Sequence, residues 1–126
     1  MSAAQDLPRE ERLRSTAGLR GTPALPLSAW RGESGRRYVV GVHDARDVEV
    51  DELAEAVAIG VSRDSNGIAQ MQGVAVGLGH GAGDRWLGEM RRKGCTEIHV
   101  HRLAENAAER LAIEIDLNPT KKGIRR

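Results

Sequence analysis

The chain has 126 residues, 40% of them hydrophobic and 29% charged, which fits one soluble globular domain and is too short for two of ordinary size. A formal net charge of +1 excludes nucleic-acid binding by bulk electrostatics, so any such binding must use a local patch. Cys95 is the only cysteine, which excludes an intrachain disulfide and a zinc site built on thiolates. No apolar run approaches the length of a membrane span, and MSAAQDLPREERLRS carries acids where a signal peptide needs its apolar region. A cytoplasmic protein with no membrane partner is therefore expected. With no Phe and 2% aromatic residues, the core must come from Val, Ile, Leu and Ala, with Trp30, Trp86 and Tyr38 as its few large pieces.

Residues 1–26 mix charge with Ala, Gly, Thr and the prolines Pro8, Pro23 and Pro26, and they show no apolar period; they read as a disordered tail ahead of a domain spanning 27–119. The turn signal Glu33-Ser34-Gly35 precedes RRYVVGVH, so Arg36 to His43 reads as the first strand. Six acids fall between Asp44 and Glu55, in either a solvated loop or a short acidic helix. A strand from Val57 to Arg63 is expected to pair with one from Ile68 to Gly77 across Asp64-Ser65-Asn66-Gly67, because Asn and Gly both tolerate the positive φ of tight hairpins.

The glycine-rich GLGHGAG leads into Asp84-Arg85-Trp86-Leu87, a helix that should stop at Gly94. A fourth strand is expected at Thr96 to His101. The last helix begins near Asn106, with Glu109 completing a capping box and Ala107, Leu111, Ala112 and Ile115 forming its apolar stripe until Asn118-Pro119. Residues 120–126 form a basic tail.

This order of strand, Asn-Gly hairpin, strand, arginine-bearing helix, strand and glutamate-bearing helix, from Trp30 to about Pro119, resembles the GIY-YIG endonuclease superfamily. The resemblance implies an α/β (α+β) two-layer sandwich, a mainly antiparallel sheet of three to four strands with helices. It places Ala56-Val57-Ala58 where the family's first motif stands and Ala75-Val76-Gly77 where its second stands. Arg85 falls on the helical arginine that contacts phosphate, and Glu114 on the glutamate that binds one divalent metal. Both motif tyrosines are alanine here, at 58 and 75, and alanine cannot orient or deprotonate water; loss of a positioned base costs roughly two to four orders of magnitude in rate.

The resemblance therefore implies a non-catalytic nucleic-acid-binding or regulatory module without a cofactor, with DNA as partner. Its contacts would be Arg85, Arg91, Arg92 and Lys93, joined by Lys121 and Lys122 of the tail. One alternative is a surviving Mg²⁺-dependent endonuclease, in which Arg85 stabilises the pentavalent phosphate, Glu114 holds metal and His80 or Tyr38 acts as base. Another is a protein-interaction or homodimerising domain, in which the acidic segment Asp44 to Glu55 covers the basic face. Arg85 can instead pair with Glu89 one turn on, and Glu114 with Arg110. His99 and His101 alternate on a strand and so share a face with each other; with His80 they make a zinc set to weigh against hydrogen bonding within the sheet.

Overall fold

The computed structural model describes residues 8–13, 25–79 and 81–118. These form six strands and two α-helices: β1 (Arg9–Arg12), β2 (Leu27–Arg31), β3 (Arg37–Asp44), β4 (Val57–Arg63), β5 (Ala69–Ala75), α1 (Ala82–Arg92), β6 (Glu97–His101) and α2 (Ala107–Leu117), with a 3-10 turn at Val50–Leu53 between β3 and β4. The protein is thus α+β. All strands join one antiparallel sheet in the order β1-β2-β3-β6-β4-β5, larger than the three to four strands expected. The sheet curls until β1 touches β5, and Arg63 of β4 bonds to Glu10 of β1 across the gap.

The two strands beyond expectation are β1 and β2. REER in β1 falls in the segment read as a disordered tail, yet Arg9–Arg12 pairs in register with Arg31 to Ser28. Its side chains alternate between two polar environments: Glu10 points inward to Arg63 and Ser28, and Glu11 outward to Arg31. Ion pairs on both faces hold a strand that has no apolar residue to announce it.

The hairpin between β4 and β5 forms as expected, with one difference in its turn. Only Gly67 takes a positive φ, of 81°, while Asn66 does not. Asp64 Oδ1 accepts from the backbone N–H groups of Asn66 and Ile68, and Gly67 N–H donates to Asp64 O at 2.9 Å. This is a type I turn closed by a glycine in the left-handed region, the next commonest hairpin connection. The expected stop of α1 also forms: Gly94 has a φ of 89°, and Cys95 N–H reaches back to Met90 O. Asn106 caps α2 by accepting from Glu109 N–H at 2.8 Å, whereas Glu109 Oε1 takes the N–H of Glu105, one residue before that of a capping box.

Two hydrophobic clusters lie on opposite faces of the sheet, because adjacent β4 residues alternate sides. Ala58, Ile98 and Val100 pack outward with Leu87 and Met90 of α1 and with Leu53 of the 3-10 turn. Val57, Ile59 and Val61 pack inward with Trp30, Tyr38 and the α2 residues Ile113 and Leu117. The helices therefore cover opposite faces, which corrects the two-layer sandwich to a sheet with one helix on each side. Gly60 and Gly73, directly paired across β4 and β5, admit the Met90 side chain; a Cβ at Gly73 would lie 2.9 Å from Met90 Cε, and one at Gly60 would collide with Met90 Sδ.

The acidic segment is neither wholly loop nor an α-helix. Ala45, Val48 and Leu53 are buried and anchor it, and the 3-10 turn spans only Val50–Leu53. No helix among the described residues is long and apolar enough to cross a membrane.

Candidate functional site

Ala58 and Ala75 are direct cross-strand partners in the hairpin and face α1. Ala58 is wholly buried in the outer cluster, so the space in which a motif tyrosine would project is filled by core. Arg85 stands exposed near the start of α1, on that same outer side, and makes no ion pair among the described residues. The pairing weighed for it does not form, since Glu89 meets Lys93 instead at 3.7 Å.

Glu114 is buried on α2, against the inner face. The curled sheet thus separates Arg85 from Glu114, which corrects the expectation that they converge on one phosphate-and-metal site. Tyr38 also belongs to the inner side and cannot serve Arg85 as a base. Its hydroxyl donates to Asp116 Oδ2 at 2.7 Å, and burial together with this carboxylate pushes its pKa up to about 12. His80 lies outside the described residues, as do Lys121 and Lys122.

The histidines of β6 do share a face, as their alternation requires, and both are engaged. Trp30 Nε1–H donates to His99 Nδ1 at 2.9 Å, and His99 Nε2 sits 2.9 Å from Glu97 Oε1. An indole N–H can only donate, so Nδ1 accepts and the proton resides on Nε2, facing the carboxylate. His101 Nδ1–H donates to Val39 O at 2.7 Å. Among the described residues no three His, Cys, Asp or Glu side chains form a metal-holding group.

The basic edge of α1 is partly committed to structure. Arg91 Nε–H donates to Ala45 O at 2.9 Å and pins the acidic segment, while Lys93 is drawn to Glu89. Arg92 is left exposed beside Arg85's helix face.

A denser basic cluster lies on the outer face of β1, β2 and β3, which neither α-helix of the described residues covers. Cross-strand register sets Arg9 opposite Arg31 and Arg31 opposite Arg37. All three guanidinium groups reach the single carboxylate of Glu11: Arg31 Nε at 2.6 Å, Arg37 Nε at 3.1 Å and Arg9 at 3.5 Å. The Arg31 hydrogen bond, opposed by partial burial and aided by the other two charges, holds Glu11 below its ordinary pKa. Arg31 also donates to Gly35 O at 2.7 Å, which fixes its guanidinium plane. Sequence reading missed this cluster because β1 was taken for tail; the only local signal was Arg36-Arg37 at the start of β3.

The inner face carries a second polar network. Arg63 binds Glu97 and Glu10 through paired N–H groups, and Ser28 Oγ–H donates to Glu10 at 2.8 Å. These groups line a cavity of about 280 Å³ at one end of the curl, together with Arg12 and Leu27. Burial raises the pKa of Glu10, but the bonds from Arg63 and Ser28 outweigh it and leave the group below its ordinary value. Glu97 is lowered to about 2 by the His99 hydrogen bond, against burial and with help from Arg63. Arg63 serves both carboxylates, with Arg12 3.8 Å from Glu10, so the network ties the edge strand β1 to β4 and β6 across the curl.

No family model matches the chain, and neither a curated protein nor a solved structure shows significant similarity to it.

Proposed function

We propose that this domain is a non-catalytic nucleic-acid-binding module that grips the phosphate backbone through the outer face of β1 to β3. The observation that carries the reading is the convergence of Arg31 and Arg37 on Glu11, with Arg9 beside them. Even the first two arginines alone exceed the one carboxylate they share, so the face holds surplus positive charge in oriented guanidinium groups suited to phosphate oxygens. The chain's near-neutral total charge makes such a local patch necessary.

DNA duplex is the expected ligand. The chain's aromatic residues are few, and Trp30 and Tyr38 are buried, which leaves little surface on which unstacked bases could lie. Arg85 and Arg92 on α1 add a second point of contact on the same outer side. Derivation from a GIY-YIG nuclease scaffold belongs to this proposal. The order of elements from Val57 to Leu117 supports it, while the separation of Arg85 from Glu114 and the filled space at Ala58 favour a scaffold used for binding over one used for cleavage.

Supercoiled plasmid incubated with the protein and Mg²⁺ or Mn²⁺, then scored both for retarded mobility and for nicking, tests the reading. Retardation without nicking is the expected result. Nicking that is lost on Glu114→Ala and on Arg85→Ala would restore the endonuclease, and neither effect would remove nucleic acid as the partner.

A further inference from the structure

The outer face of β3 presents a graded strip: basic at the Arg37 end, apolar in the middle and acidic beyond His43. Arg31 lies opposite Arg37 at the first end. Val39 and Gly41 form the floor of a groove of about 210 Å³, walled by Leu25 and Leu27 on one side and by Arg102 and Leu103 on the other. At the far end His43 Nδ1 meets Glu52 at 3.2 Å, where the acidic segment begins its 3-10 turn. Leu103 is the most exposed large apolar side chain among the described residues, at 71%, and Val39, Leu25 and Leu27 are also open to solvent.

From this arrangement we infer that the groove is the docking face of a second copy of the chain. A strip running from basic through apolar to acidic is complementary to itself when turned end for end, as a twofold axis near Gly41 would turn it. Arg37 and Arg102 of one protomer then face the Asp51 and Glu52 end of its partner, twice over. Each Leu103 enters the opposing groove and packs on Leu25, whose side chain lies over Gly41. Neutral partners of the same apolar size would satisfy the groove but leave both charged ends unmatched; a uniformly acidic partner would meet repulsion at Glu52.

This inference stands apart from nucleic-acid binding, because dimerisation needs no nucleic acid to be observed. Where both hold, they compete: the dimer lays one protomer's acidic segment toward its partner's Arg31 and Arg37, so polyanion and second copy draw on the same arginines.

Sedimentation velocity of the full chain without nucleic acid tests the proposal, over a wide range of protein concentration at low and high salt. The expected result is a concentration-dependent dimer that weakens as salt rises. Leu103→Glu, at a solvent-exposed position that does not threaten the fold, should weaken dimerisation about tenfold or more, equivalent to about 1.4 kcal/mol. Arg102→Glu and Asp51→Arg should each weaken it, and the two together in one chain should recover it. A monomer at every concentration overturns the proposal and leaves the groove to a segment of the same chain or to another partner. A dimer indifferent to Leu103→Glu overturns it as well, because the contact would then lie elsewhere. DNA binding by a strictly monomeric protein would sink the dimer alone, whereas a Leu103-dependent dimer without DNA binding would sink only the nucleic-acid reading.

Discussion

Trp30 donates its indole N–H to Nδ1 of the fully buried His99 at 2.9 Å and thereby fixes which imidazole nitrogen carries the proton. The bond joins β2 to β6 beneath β3 and orders the inner core. Trp30→Phe preserves most of the apolar bulk but leaves a buried nitrogen without a donor, which costs about 1–3 kcal/mol. Urea unfolding of the variant measures this. A loss below about 0.5 kcal/mol, within the range of ordinary surface changes, would show that the bond does not order the core.

The Glu97 carboxylate supplies an acid limb to stability. Its folded pKa of about 2 lies below the ordinary glutamate value of 4.5, so the folded state favours the ionised form. The resulting stabilisation is fully present above pH 4.5 and declines as pH falls toward 2. Glu97→Gln should flatten that decline in a series of urea midpoints against pH. An unchanged acid limb in the variant would assign the effect to other carboxylates.

Tyr38 is the only tyrosine, so its ionisation can be followed by ultraviolet absorbance without interference. Burial and the Asp116 carboxylate raise its pKa to about 12 from 10.0. The stabilisation this provides is fully present below pH 10 and is lost as pH rises toward 12. Asp116→Asn should bring the transition down toward the ordinary value. Titration near 10 in the folded parent would contradict the hydrogen bond.

Gly60 and Gly73 set the distance of α1 from the sheet. Gly60→Ala forces a methyl into Met90 and should cost about 1–3 kcal/mol by overpacking. Met90→Ala alone opens a cavity, so the double variant should be more stable than the sum of the two losses requires. Strict additivity in a double-mutant cycle would place α1 farther from the hairpin. By the same reasoning Ala58→Tyr should destabilise the fold without creating nuclease activity, because the site is already filled.

Much of the architecture from Arg36 onward was legible in the sequence. Val57 to Arg63 and the Asn66-Gly67 turn declare a hairpin by alternation and turn chemistry, and Gly94 and Asn106 declare helix ends by their local conformational roles. These signals work because each is decided by neighbours in sequence. Arg9–Arg12 was illegible because its pairing is decided by Arg31, Ser28 and Arg63, all far along the chain.

The facing of α2 was misread for a related reason. Its buried side carries Ile113, Glu114 and Leu117, whereas Leu111, placed in the expected stripe, is 49% exposed. A buried glutamate breaks the apolar pattern that identifies an inward face. This rotation and the placement of the two helices on opposite sides of the sheet, which order along the chain does not encode, separated Arg85 from Glu114. The candidate site moved accordingly, from one end of α1 to the arginines of the outer sheet.

The most direct test of the nucleic-acid reading is the salt dependence of short-duplex binding, followed by fluorescence anisotropy. The parent should bind with a log–log salt slope of about −2 to −3, since each neutralised phosphate contributes about −0.9. Arg31→Gln combined with Arg37→Gln should remove about two units of that slope and most of the affinity, whereas replacing Arg91, Arg92 and Lys93 by Gln should cost less, because Arg91 and Lys93 are already engaged. A slope unchanged by the Arg31 and Arg37 pair, or no binding by the parent at low salt, would contradict the account.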